Sequence, residues 1–178
     1  INEIFCASNV NDVLTRFIST GKLEPKETIP SVAPSMDIQI PSSLERLIYN
    51  FEGDASSFYD QLQNEKIAKL SEESVVKLQN IFSSLSFNDE MILKEIDLFY
   101  KNYGWVIDPH TATALSSSVT FSSTLPVVGV ATASPEKFSD VISKTIDEFR
   151  VESTKNEEKY FVQKANSSLV ENTIKECL

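Results

Sequence analysis

The chain has 178 residues, 41% of them hydrophobic and 24% charged, with a formal net charge of −10. That composition suits a globular domain with its own core, and acidic residues spread along the chain exclude the basic patch that nucleic acid or an anionic membrane surface needs. No apolar run approaches the roughly 20 residues that span a bilayer, and two cysteines, Cys6 and Cys177, are too few for a disulfide framework.

These features lead us to expect a cytoplasmic protein with reduced thiols, with an organelle such as a plastid as the other possibility. The chain opens at Ile1 on INEIFCAS, which reads as an edge-to-core strand already under way, with no initiator methionine. We therefore expect a piece of a longer protein.

Ile4 to Ala7 reads as a short buried strand. Ser8 or Asn9 caps a helix whose apolar face is Val10, Val13, Leu14, Phe17 and Ile18, and Gly21 ends it. Pro25, Pro30 and Pro34 make the next stretch an extended connection. Pro34 and Pro41 then bracket Ser35 to Ile40, and Ser42 or Ser43 caps a helix burying Leu44, Leu47, Ile48 and Phe51. Residues 54–103 read as mostly helical, with Phe58 and Leu62 in one helix. A second opens at Ser71 and carries Val75, Leu78, Ile81, Phe82 and Leu85. A third is capped by Asn88 and closed by Gly104. The polar faces of this block predict a solvated helical insertion on one edge of the domain.

Asp108 and Pro109 suit the cap and first position of a further helix. Leu125, Val127, Val128 and Val130 form a run with the character of a strand buried on both faces. Ser134 and Pro135 then open an amphipathic helix through Phe138, Val141, Ile142, Ile146 and Phe149. Ala131, Thr132 and Ala133 thus fall at the carboxyl end of a strand facing a helix start, where ligands bind in open α/β sheets. Residues 150–178 read as a helical tail of two short helices.

Few residues carry obvious chemistry. Gly21, Gly53, Gly104 and Gly129 are the only glycines, and their spacing makes no phosphate-cradling loop. His110 is the sole histidine, so a histidine-built metal site is excluded and none is expected. It either hydrogen-bonds at a helix terminus or works near a pocket. The pairs Glu72–Glu73 and Glu157–Glu158 lie on solvated faces. Ser35, Asp37 and Thr132 occupy turn or strand-end positions, where site residues accumulate.

Four segments, in order, resemble threonine synthases. CASNVNDVLTRFISTG, from Cys6, is similar to A-T-N-x-N-D-I-L-x-R-F-x-x-x-G, and APSMDIQIPSSLERLIYN, from Ala33, to S-P-S-M-D-I-x-x-P-S-N-x-E-R-L-L. IDPHTATA, from Ile107, is similar to L-D-P-H-T-A-V-G, and ATASPEKFSDVI, from Ala131, to S-T-A-H-P-A-K-F-x-D-x-V. The resemblance covers about a third of the chain and fits the carboxyl-terminal portion of that enzyme. It implies a three-layer α/β/α part of a pyridoxal-phosphate fold type II enzyme with a helical subsection, 54–103 being a variable insertion. It also implies a lyase of threonine biosynthesis that converts O-phospho-L-homoserine and water to L-threonine and phosphate.

Carried over residue by residue, the resemblance places Thr132 against the ring nitrogen of pyridoxal 5'-phosphate. It places Ser35, Asp37, Asp108, His110 and Ala133 in or behind the pocket. The lysine that forms the Schiff base and the Gly-rich phosphate loop are expected upstream, so the 178 residues alone hold no catalytic residue and are expected to be inactive. Lys137 matches the family but opens a helix and is not given that role. The expected partners are the substrate and the rest of its own chain, in a monomer or dimer, with no nucleic acid and no membrane. Ser134 for His, Ala33 for Ser and Ser43 for Asn depart from the pattern. These departures motivate the alternative of a threonine synthase-like protein with altered or lost activity.

Overall fold

The computed structural model describes residues 3–116, 126–150 and 166–177. Strand β1 (Ile4–Ser8) leads into α1 (Val13–Thr20), and a short β2 (Lys22–Leu23) follows. After a 3-10 turn at Pro34–Met36 come α2 (Leu44–Glu52), α3 (Ser56–Glu65) and β3 (Ala68–Lys69). Next are α4 (Glu72–Ile81), β4 (Phe82–Ser86), α5 (Asp89–Tyr103) and α6 (Pro109–Ser116). A second 3-10 turn at Pro135–Phe138 runs into α7 (Ser139–Ile142), and α8 is Ser167–Cys177.

β1 pairs with β4 in parallel, Ile4 opposite Phe82 through Ser8 opposite Ser86. β2 pairs with β3 antiparallel, Leu23 opposite Ala68. The parallel pair explains why Phe82 and Leu85 do not continue α4, as their apolar spacing predicted. Phe82 turns to extended backbone (φ −117°, ψ 136°), and its strand is claimed by β1 and by the Ser84 hydroxyl, which donates to the Cys6 carbonyl at 2.7 Å. Tertiary pairing here outweighs a helical pattern. Residues 54–103 are accordingly more than an edge attachment, since they supply β4 and much of the core.

The core has two parts. Val13, Phe17, Leu23, Leu44, Ile48, Phe58, Leu62 and Leu78 fill the first, with the Phe17 and Phe58 rings edge to face, centroids 6.2 Å apart. Ala33, Phe87, Ile92, Ile96, Ala112, Ile142 and Ile146 fill the second, with Phe5, Phe138 and Phe149 packed against it. Each fully buried Leu, Ile or Phe contributes about 1.5–3 kcal/mol.

Several caps follow the sequence. Ser71 accepts from the Ser74 N–H, Asn88 accepts from the Met91 N–H at 2.9 Å, and Gly104 is left-handed. Others do not. α1 begins after Asp12, Asn9 being engaged elsewhere, and α2 begins after Ser43, neither with a side-chain cap bond.

Gly21 ends α1 in the left-handed region at φ 69° and its N–H donates to the Phe17 carbonyl at 2.7 Å. A Cβ here would overlap Val75 Cγ2. Gly21→Ala combines left-handed strain with overpacking and is expected to cost about 2–3 kcal/mol, read as a lower urea midpoint at unchanged slope.

The segment before the second 3-10 turn departs most from expectation. Residues 126–133 are irregular rather than a buried strand, with Val127, Val128 and Val130 at 56%, 83% and 70% exposure. β-branched residues favour a strand only where a neighbour pairs with them, and no described strand lies beside this run. Leu125, most of residues 150–165 and the first helix expected in the tail lie outside the described residues. The expected helix from Ser134 to Phe149 is also broken. Ser134 makes no side-chain cap bond, and after the short α7 the backbone continues as turns to Phe149. The Ser143 hydroxyl donates back to the Ser139 carbonyl, competing with the backbone for that acceptor. The buried side nonetheless holds, with Ile142 and Ile146 in the second core.

Candidate cofactor-site wall

The stretch following β1 places two asparagines under the Pro-rich connection. Asn9, fully buried, donates from Nδ2 to Ser31 Oγ and Asp37 Oδ1, both at 2.7 Å, and to the Ala33 carbonyl at 3.3 Å. Its Oδ1 accepts the Asn11 N–H at 2.9 Å. Asn11 donates to the Ile29 carbonyl and to Asp37 Oδ1, and its own Oδ1 accepts the Ile29 N–H at 2.8 Å. Asp37 also accepts the Ser31 N–H at 3.0 Å and hydroxyl at 2.7 Å. Buried amides are costly unless bonded, and here both are. The loop from Ile29 to Asp37 is therefore fixed from below. At its middle, the Val32 N–H donates to Asp89 Oδ1 at the start of α5.

The second cluster sits at the start of α6. Asp108 is 1% exposed. Its Oδ1 accepts the His110 N–H at 2.9 Å and the Thr111 N–H at 3.4 Å, which makes it the cap its position predicted. The Thr111 hydroxyl donates to Oδ2, and His110 Nδ1 lies 2.9 Å from Oδ1. Burial by itself would raise this carboxyl. The side-chain bonds from His110 and Thr111, with their backbone N–H groups, outweigh that and hold it below the usual Asp range.

His110 is buried and reaches two other segments. Its Nε2 accepts the Ser35 N–H at 3.1 Å, and its ring packs on Phe138 with centroids 4.6 Å apart. An N–H can only donate, so Nε2 carries a lone pair, the hydrogen is on Nδ1, and the ring is neutral.

The polar bonds and the second core thus draw together Asn9, the Ser35–Asp37 turn, Asp108–His110 and the segment ending in Phe138. Ala33, fully buried against Ala112 and Ile142 in the same cluster, occupies a place where a serine hydroxyl would need a partner. Thr132 is exposed and Ala133 half-buried. No hydrogen bond joins either to Ser35, Asp37 or His110 among the described residues. Lys137 is exposed within the 3-10 turn. Sequence reasoning missed the tethering role of Asn9, Asn11, Ser31 and Asp89. The signal available was two asparagines, two residues apart, in the short strand-to-helix step Asn9 to Asp12. Among the described residues no cluster of His, Cys, Asp or Glu could hold a metal, and no helix is long and apolar enough to cross a membrane.

Known proteins resemble the chain in sequence and in fold. No protein-family model matches the chain. Threonine synthase of Pseudomonas aeruginosa is 31% identical over 150 residues, covering 81% of this chain and 32% of its own length. Threonine synthase-like 1 of Homo sapiens is 30% identical over 174 residues, covering 94% of this chain and 23% of its own length. The PLP-bound threonine synthase structure from Brucella melitensis superposes with a TM-score of 0.76 at 30% identity, over 82% of this chain and 32% of that one. The yeast threonine synthase structure, at 22% identity, shares the fold over 99% of this chain with a TM-score of 0.77.

Mixed α/β structure and these likenesses define a protein of the pyridoxal-phosphate fold type II class. Within that class, the chain belongs to the threonine synthase family. It spans between 23% and 32% of the length of the curated relatives just described.

Proposed function

We propose that this chain forms one wall of a pyridoxal-phosphate site in a lyase that converts O-phospho-L-homoserine and water to L-threonine and phosphate. The observation that carries this reading is the convergence of the four family-like segments around Asp108 and His110. Thr132 suits the ring-nitrogen role in two respects. Its hydroxyl is exposed and without a hydrogen-bond partner among the described residues, and Val130, Ala131 and Ala133 beside it offer apolar surface to a flat ring. When bound, the cofactor supplies an electron sink for chemistry beside an amino-acid nitrogen. A neutral hydroxyl at Thr132 would orient the ring without enforcing its protonation, as a carboxylate would. Ser35, Asp37, Asp108 and His110 support the wall from behind. The lysine and the phosphate loop would come from sequence outside these 178 residues, as the greater length of the relatives suggests.

The test is phosphate release from O-phosphohomoserine by the protein that carries this chain, loaded with pyridoxal phosphate. Thr132→Ala removes one hydrogen bond to the ring and is expected to lower turnover by about tenfold. Unchanged turnover would remove Thr132 from the ring-nitrogen role.

A second reading rests on the departure at Ser134, beside a 30% identical match to Homo sapiens threonine synthase-like 1. On it, the protein is a threonine synthase-like relative whose activity has changed, as the serine at Ser134 suggests. Cofactor binding without phosphate release would select this reading. A gain of release in Ser134→His would tie the change to that position, and no gain would mean that the serine is tolerated.

A further inference from the structure

We propose that His110 is a positioning residue that ties the turn carrying Ser35 to the segment running from Thr132 to Phe138. The tie depends on one tautomer. Asp108 Oδ1, fixed by the first two free N–H groups of α6, takes the hydrogen of Nδ1. That leaves the Nε2 lone pair facing the Ser35 N–H at 3.1 Å. The opposite tautomer would set the Nε2 hydrogen against the amide hydrogen and leave the Asp108 carboxylate facing a lone pair, so both contacts select the same state. The face of the same ring lies on Phe138, at 4.6 Å between centroids.

One buried side chain, 6% exposed, therefore contacts both segments that the cofactor reading assigns to the pocket. Ala33 and Ala112, both fully buried in the same cluster, are small enough to let the turn and α6 approach. The Ser35 turn is already held at its far side by Asp37 on Asn9 and Asn11. His110 thus fixes the near side and sets the turn against the Thr132 segment before any ligand arrives, the preorganisation that a binding wall needs. The inference rests on the cofactor reading for what the wall holds. The tie itself is a property of the chain.

Two substitutions separate the bonds. His110→Asn keeps a donor near Asp108 but withdraws the acceptor from Ser35. His110→Gln can restore an acceptor to Ser35 while giving up the Asp108 bond. The experiment records imidazole nitrogen resonances of the histidine-labelled 178-residue chain and the hydrogen exchange of the Ser35 amide. A neutral Nδ1–H ring is expected in the unsubstituted chain. Ser35 exchange should rise about tenfold in His110→Asn, as for the loss of one hydrogen bond, and return toward the original rate in His110→Gln. An Nε2–H ring, or equal exchange in the Asn variant and the unsubstituted chain, would overturn the proposal. The ring state needs no variant, so a poorly folding substitution cannot shield it. If these results hold but the complete protein binds no pyridoxal phosphate, the tie stands and the cofactor reading falls.

Discussion

Asp37→Ala is expected to destabilise the chain by about 3–5 kcal/mol, because hydrogen bonds to a charged group are worth about 1.5–3 kcal/mol each and are not additive. The carboxylate accepts from Asn9, Asn11 and both the N–H and hydroxyl of Ser31. Asn9 and Asn11 cannot turn to water, being fully and 97% buried. They retain their bonds to Ser31, Ala33 and Ile29, which limits the loss. Asp37→Asn should cost less, since its Oδ1 can still serve the asparagines while its amide opposes the Ser31 N–H. Against a whole-domain stability of about 5–15 kcal/mol, the alanine variant is a large fraction. Urea melts of the two variants and the unsubstituted chain measure the order. Equal midpoints for all three would mean that the network does not hold the loop.

Asp108→Ala is expected to cost a similar 3–5 kcal/mol, from about 1 kcal/mol for the lost cap and the orphaning of the buried His110 and Thr111 donors. Its pH dependence has a fixed sign. The folded-state carboxyl is held below its unfolded value despite burial, by the bonds from His110 and Thr111. Its contribution is therefore fully present above the unfolded pKa of about 3.9 and is lost as the pH falls through the lower folded value. The gap in stability between the unsubstituted chain and Asp108→Ala should be widest near neutral pH and narrow in acid. Midpoints measured at neutral pH and near pH 3 check this, and a gap that widens in acid contradicts it.

Local rules read much of this fold from sequence. Gly21 and Gly104 as left-handed helix ends, Ser71, Asn88 and Asp108 as caps, and the buried sides of α1, α2 and α5 all follow from spacing and chemistry within a few residues. What failed was set by partners distant in sequence. Phe82 and Leu85 fit a helix until β1, almost eighty residues earlier, offers a parallel edge. Val127, Val128 and Val130 suit a buried strand, but no described strand pairs with them and they are exposed. The site shows the same division. Asp108 and His110 were visible as a helix start, but the bond from the Ser35 amide to Nε2 spans 75 residues. Asn9 reads as a cap because its Oδ1 can accept a backbone N–H ahead of it, as it does from Asn11, while the tether runs through its Nδ2. Only the position of the Pro-rich loop reveals the tether.

The most direct test of the central claim, that the Thr132 segment is the cofactor wall, is the absorbance of pyridoxal phosphate bound to the complete protein, compared between Thr132 and Thr132→Asp. A carboxylate facing the ring nitrogen would favour its protonated form, so the account predicts a displaced absorption band with the cofactor still bound. Identical spectra at equal occupancy would place Thr132 away from the ring and contradict the account.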